Sequence, residues 1–176
     1  MRRLNLALLL LFAACDQTAG LGSRHAAQQK MSAAQGGVIS VPPGDALAGA
    51  SLELPPGALT ADALVTLDQG SGPLLVDPPP AGPLVIFLPA ELPLLRPGTV
   101  TLPLRLGAGQ SLADVIVVAT DSLGNLVKID HAQLTLTADR VQFSAIHLGA
   151  FQPAALLHCT DLCPNGWTCR NNECHP

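Results

Sequence analysis

The most reactive side chains of this chain are its five cysteines, and they are unevenly distributed. Four of them lie within the last 18 residues, at Cys159, Cys163, Cys169 and Cys174, and the fifth is Cys15. A cluster with an even number of cysteines is typical of disulfides or of a metal site. The odd cysteine, Cys15, therefore needs a separate interpretation.

Cys15 follows a short apolar segment that is organised like a secretory signal. Arg2 and Arg3 precede an uncharged apolar run over Leu6–Ala14, which is the order of a charged n-region and a hydrophobic h-region. As a helix this run would be about 14 Å long, compared with a hydrocarbon core of about 30 Å, so it is too short to span a membrane. We expect residues 1–14 to direct export.

The four residues Phe12-Ala13-Ala14-Cys15 resemble the bacterial lipobox, although Phe12 stands where the lipobox usually has Leu. The resemblance implies diacylation of the Cys15 thiol and cleavage after Ala14. Two or three acyl chains, at about 0.8 kcal/mol per buried methylene, would attach the protein stably to a membrane. The alternative is a plain signal peptide, with Cys15 incidental. The expected location is the bacterial cell membrane or outer membrane, with the protein lipid-anchored and facing the periplasm or the surface.

The C-terminal cysteines have the spacing C-x3-C-x5-C-x4-C. In an exported protein this predicts two disulfides, for which the sequence allows three pairings. A loose similarity to small secreted cysteine-rich modules implies the pairs Cys159–Cys169 and Cys163–Cys174. Each bond would contribute about 3 kcal/mol in the chain-entropy model.

Zinc is the alternative use of these thiols, with His158 and His175 as possible substitutes among the ligands. The spacing lacks the C-x2-C pair that most structural zinc sites contain, and an oxidising compartment competes for the thiols. We therefore predict neither a metal nor another cofactor.

No catalytic motif is present in the rest of the sequence. G-x-S-x-G, P-loop and G-x-G-x-x-G patterns do not occur, and Asp121–Asn125 has too few oxygen ligands for a calcium loop. The five histidines are not spaced as ligands on one element. The sequence therefore predicts that the protein is not an enzyme. The alternative is an accessory or degraded enzyme with a dispersed site, for which the candidates are Asp114, Asp130 and His147.

The composition favours an all-β fold as the frame for these residues. Charged residues make up 12% and aromatic residues 3%, while 16 Pro and 16 Gly occur. Together Pro and Gly reach about 18%, compared with roughly 12% in average proteins. Prolines recur from Pro42 to Pro103, which excludes a helical bundle because proline breaks helices.

The net charge of −4 argues against nucleic-acid binding. Loss of Arg2 and Arg3 with the leader would leave seven basic and 13 acidic residues. No basic patch is then available to neutralise phosphates.

Short aliphatic runs between Pro, Gly and Asp breaks predict a β-sandwich. The expected strands are Val38–Val41, Ser51–Leu54, Leu64–Asp68, Leu84–Leu88, Thr99–Leu106, Asp114–Thr120, Leu126–Asp130, Gln133–Thr137 and Arg140–Ala145, with a short last strand near Leu148–Gln152. The uniformly apolar Val115–Val118 is expected in a central strand. Hairpin turns are predicted at Ser122–Asn125 and Ala138–Asp139.

Four segments in order resemble the ZU5 domain family: Gly36–Gly44, Ala50–Leu67, Pro83–Pro89 and Val141–Phe151. In the last of these Leu148 replaces an aromatic residue that the family often has. The resemblance covers residues 36–152 and implies an antiparallel β-sandwich that mediates protein contacts without catalysis.

The predicted organisation is therefore a lipoprotein signal peptide at 1–14, a flexible tether at 15–35 with a helical turn or two around His25–Ala34, a ZU5-like β-sandwich at 36–152 and a disulfide-bonded tail at 153–176. We expect a non-enzymatic binding module of the cell envelope that is attached to the membrane through lipid on Cys15. Its partner would be an envelope protein or a glycan. A purely structural envelope component is the other alternative.

Overall fold

The computed structural model describes residues 24–90, 92–121, 123–157, 168–170 and 173–175, and these residues are all-β. They contain one 3-10 turn at His131–Gln133 and no α-helix. In chain order the strands are β1 (Arg24–Met31), β2 (Gly37–Ser40), β3 (Ser51–Leu54), β4 (Ala63–Gln69), β5 (Val85–Leu88), β6 (Pro93–Pro103), β7 (Gln110–Thr120), β8 (Leu126–Ile129), β9 (Thr135–Leu136), β10 (Arg140–His147), β11 (Ala150–Leu157), β12 (Thr168–Arg170) and β13 (Glu173–His175).

The strands form two main sheets in which every pair is antiparallel. The six-stranded sheet has the order β1-β4-β5-β11-β7-β8, and the five-stranded sheet has the order β2-β3-β6-β10-β9. β12 and β13 form a separate hairpin. We call residues 24–157 the β domain.

The two sheets share one hydrophobic core between them. In β10, Val141, Phe143 and Ala145 are buried while the residues between them are exposed, as expected for a strand with one face turned inward. The ring centroids of Phe143 and Phe151 are 5.3 Å apart, and those of Phe87 and Phe151 are 6.1 Å apart. The prediction of an all-β fold with two antiparallel layers is confirmed.

Most of the predicted strands and turns are present. The ten predicted strands correspond to β2–β11, with identical bounds for β3. In the predicted hairpin turns, Gly124 has a φ of 82°, and the amide of Thr137 donates to the carbonyl of Arg140. β7 departs from expectation because it lies second from the edge of its sheet and not at its centre.

The prediction of a flexible tether through Gln35, with helical turns near His25, is wrong for Arg24–Met31. These residues form β1, which pairs along its whole length with β4 at the edge of the six-stranded sheet. Ala, Gln and Lys are good helix formers, so local propensity favoured another structure. The backbone hydrogen bonds offered by β4, together with burial of Met31 in the core, outweigh that propensity.

Candidate functional site

The outer face of the five-stranded sheet is polar and open. Residues that alternate with the buried ones on β2, β3, β6, β9 and β10 point away from the core. We call this surface the polar face, and its hydrogen-bonding residues on these strands are Ser40, Ser51, Glu53, Thr99, Thr101, Thr135, Arg140, Gln142 and Ser144.

Strand register places five uncharged residues of the polar face in a row across all five strands. Ser40 lies opposite Ser51, Ser51 opposite Thr101, Thr101 opposite Gln142, and Gln142 opposite Thr135. With neighbouring strands about 4.8 Å apart, the row is about 19 Å long. It offers hydroxyl and amide groups that both donate and accept hydrogen bonds.

Two shallow depressions lie at one side of this row and share Thr135 and Gln142. One, of about 170 Å³, is lined by Thr101, Thr135, Thr137, Arg140 and Gln142. The other, of about 260 Å³, is lined by Thr99, Gln133, Thr135, Gln142, Phe143 and Ser144. These linings suit a ligand that exchanges hydrogen bonds with neutral groups.

The arginine of the polar face is paired with a carboxylate at its rim. Arg140 donates to Asp139 from Nε at 3.3 Å and from Nη2 at 3.1 Å, and Thr137 Oγ1 donates to Asp139 Oδ1 at 3.0 Å. These hydrogen bonds hold the pKa of Asp139 below its ordinary value, and the bond from Arg140 contributes most. The depressions therefore sit beside a compensated charge.

The outer face of the six-stranded sheet differs because a loop covers part of it. Ile116, Val118 and Ala154 are buried there beneath Leu74 and Leu75. The covering segment is the β4–β5 loop, residues 70–84. The loop therefore covers this part of the face.

A histidine–aspartate pair at the other side of the six-stranded sheet was missed from the sequence. His25 Nδ1 lies 2.9 Å from Asp68 Oδ1, and Asp68 is buried whereas His25 is half exposed. The sequence analysis assigned His25 to a flexible tether and therefore did not pair it with Asp68. The two residues come together only through the β1–β4 register. The pair joins the start of β1 to β4.

The three candidates for a dispersed catalytic site do not converge. Asp130 forms an ion pair with Lys128 at 2.8 Å, and His147 Nδ1 lies 3.1 Å from the carbonyl oxygen of Leu148. Asp114 is near the start of β7, whereas His147 is beside the far end of that strand, where its ring and Thr120 both lie next to Gly149. The seven residue steps from Asp114 to Asp121 correspond to about 24 Å of extended chain.

Of the predicted cysteine sites, Cys15, Cys159 and Cys163 lie outside the described residues. Cys169 and Cys174 lie directly opposite each other in the β12–β13 hairpin. The pairing of the four cysteines stays a prediction.

The residues that the structure describes contain neither a cluster of metal ligands nor a helix able to span a membrane. Nowhere among them do three or more His, Cys, Asp or Glu residues come together in a group able to hold a metal ion. None of their helical segments is long and apolar enough to cross a bilayer.

No family model matches the sequence, and no curated protein is significantly similar to it.

Proposed function

We propose that this protein is an exported envelope lipoprotein, held at a membrane by lipid on Cys15, whose ZU5-like β-sandwich is a non-enzymatic binding module. The basic and apolar leader before Cys15 supports the anchor. The two antiparallel sheets around a shared core support the sandwich. The polar face supports binding, and it is the observation that carries the proposal.

The chemistry of the polar face favours an uncharged, hydroxyl-rich ligand, that is, a glycan of the envelope. The row from Ser40 to Thr135 has no net charge and can exchange hydrogen bonds with sugar hydroxyls. The centres of protein interfaces are enriched in aromatic residues and Arg. Arg140 alone is of this kind among the polar-face residues, and Asp139 pairs with it.

The affinity of one face for one glycan segment should be modest. A hydrogen bond contributes about 0.5–1.5 kcal/mol net, because each group gives up water to make it. A polymer with repeating units, bound by many anchored copies, would compensate through multivalency.

The binding test uses a matched pair of double variants. Thr101→Ala with Gln142→Ala removes a cross-strand Thr–Gln pair from the row on the polar face. Thr66→Ala with Gln28→Ala removes the same residue types, also opposite each other, from the six-stranded sheet. Binding of the soluble mature chain to isolated envelope glycans is measured by a pelleting assay at several salt concentrations.

The polar-face variant should lose at least about fivefold in apparent affinity while the matched variant binds like the parent, since losing two good hydrogen bonds costs about 1–3 kcal/mol. Equal binding by both variants would contradict the assignment of the polar face. If the parent retained an envelope protein and no glycan, the ligand would be a protein. No binding by the parent would favour the structural component.

The anchor is tested separately by metabolic labelling with palmitate and membrane fractionation. The parent should take up label and sediment with membranes, whereas Cys15→Ala should lose both properties because the acylated thiol is gone. An unlabelled parent, or membrane retention of the variant, would overturn the anchor and leave the binding test unaffected.

A further inference from the structure

The smaller depression of the polar face is flanked by a carboxylate that is not part of its lining. Two of the five lining side chains, Thr137 and Arg140, bond to Asp139. Arg140 donates from Nε to Oδ1 and from Nη2 to Oδ2, which is the side-on arrangement with two parallel hydrogen bonds. Asp139 therefore positions both side chains at the depression.

This arrangement leaves hydrogen-bonding capacity for a neutral ligand. A guanidinium has five N–H donors and Asp139 accepts from two of them, so three remain on Nη1 and Nη2 of Arg140. The hydroxyl of Thr137 donates to Asp139, so its oxygen can accept a hydrogen bond from a ligand. The hydroxyls of a sugar can therefore bond to both side chains without displacing Asp139.

An anionic ligand meets a different situation at the same place. A carboxylate that binds Arg140 side-on has to displace Asp139 from that edge of the guanidinium, and Asp139 then stays nearby as a like charge. The side chains of Arg140 and Asp139 are 54% and 68% exposed. Their charges are therefore felt by a ligand within the screening length, which is about 8 Å at physiological salt.

A second carboxylate stands next to the larger depression. Glu53 on β3 is exposed and lies opposite Thr99, which lines that depression. Neighbouring strands are about 4.8 Å apart, which is within the screening length. Asp139 and Glu53 each contribute −1 and Arg140 contributes +1, so the three charges beside the depressions sum to −1.

We infer that Asp139 is a specificity-determining residue of the polar face. By occupying the side-on edge of Arg140 it screens the guanidinium from anions, so that the face accepts neutral glycans and excludes acidic ones such as polyuronates. This role deepens the proposed function and rests on it. Glu53 adds repulsion at the larger depression, but its removal uncovers no cation. Loss of Asp139 should therefore create a binder of acidic glycans, whereas loss of Glu53 should have a smaller effect.

The test uses one polymer in two charge states, polygalacturonate and its methyl ester, because esterification removes the charge and keeps the sugar chain. Binding of the full mature chain to each polymer is measured at about 0.01 M and about 0.15 M salt, where the screening length is about 30 Å and about 8 Å. The variant is Asp139→Asn. Its matched control, Asp121→Asn, removes the same charge from the turn between β7 and β8. Unchanged circular dichroism shows that each variant is folded.

Asp139→Asn should raise the binding of polygalacturonate about two- to fivefold at the lower salt concentration, the range for one exposed ion pair, and less at the higher one. Asp121→Asn should bind like the parent. Arg140→Gln added to Asp139→Asn should abolish the gain, and Asp139→Glu should not show it because the carboxylate is kept. Glu53→Gln should gain less than Asp139→Asn.

Three results would overturn the role of Asp139: equal binding of polygalacturonate by Asp139→Asn and the parent, the same gain in Asp121→Asn, or a gain that persists without Arg140. Failure of the proposed function is a separate result. A parent that binds neither polymer nor the envelope glycans would lack that function. The gain in Asp139→Asn, and its loss in the double variant, would still decide whether Asp139 screens Arg140.

Discussion

The outer faces of the two sheets differ although both sheets are antiparallel and share one core. The polar face of the five-stranded sheet is lined by Ser, Thr and Gln and is open. On the six-stranded sheet, Ile116 and Val118 are 8% and 3% exposed because Leu74 and Leu75 pack over them. The residue types on an outer face therefore follow from what covers it, as burial of apolar surface requires.

A buried glutamine helps to hold the covering loop, beside backbone hydrogen bonds that join Pro79 to Ala155 and Ala81 to Pro153. Gln152 is buried in β11, where its Oε1 accepts a hydrogen bond from the amide of Leu74 at 2.7 Å. Its Nε2 donates to the carbonyl of Gly82 at 3.3 Å. Both ends of the amide are thus used to fasten the two sides of the loop to the sheet beneath it.

The comparison between the covered and the open face predicts its largest effect, on the free energy of unfolding, for Gln152→Ala. It leaves a backbone amide and a carbonyl without their partner, so we expect a loss of about 1–3 kcal/mol in the free energy of unfolding. The β4–β5 loop should also become sensitive to protease. The matched change on the polar face, Gln142→Ala, should alter stability by no more than about 0.5 kcal/mol because Gln142 is exposed.

Urea unfolding of the two variants, with limited proteolysis in parallel, measures both effects. If Gln142→Ala destabilised the protein as much as Gln152→Ala, the covered and open faces would not differ energetically. Cleavage of the loop at the same rate in Gln152→Ala and the parent would show that the leucines and the backbone hydrogen bonds hold it without Gln152.

A smaller effect is expected at the hairpin turns of the two sheets. Asp121, between β7 and β8, accepts hydrogen bonds from the amides of Leu123 and Asn125 and from the Asn125 side chain. These hydrogen bonds lower the pKa of Asp121 from 3.8, and the bond from the Asn125 side chain contributes most. Asp139, between β9 and β10, is stabilised by the side chains of Arg140 and Thr137. Asp121 should therefore contribute more to its turn.

A carboxylate whose pKa is lowered by folding stabilises the protein above its ordinary pKa of 3.8, and this contribution is lost as the pH falls through the folded value. At about pH 7, Asp121→Asn should lower the melting temperature more than Asp139→Asn does. Near pH 2 both variants should approach the parent. Thermal melts across this range test the ranking, and a difference that grew toward acid pH would contradict it.

Much of the fold was predictable because it depends on local patterns. Alternation of apolar and polar residues located strands such as β3 and β4, and Gly124 marked a turn that needs a positive φ. The uniformly apolar run at Val115–Val118 was correctly assigned to a buried strand. The prediction that this strand is central in the sheet was wrong. Its outer side is buried because the β4–β5 loop covers it, although the strand lies second from the edge.

The candidate site was less predictable. The residues of the polar face were assigned to strands, but nothing in their local sequence says that Ser51 and Thr101, 50 residues apart, lie side by side. The pair of His25 and Asp68 was missed because β1 has the composition of a helix or a linker. Both cases depend on strand register, which contacts between distant segments decide.

The amino-acid sequence by itself therefore determined the all-β class, the places of ten strands and the turns between them, since these follow from residue periodicity and backbone preference. The tertiary structure decided that residues 24–31 form an edge strand and which outer face is covered. These features arise from hydrogen bonds and apolar contacts between segments far apart in sequence, whose energies no local pattern contains.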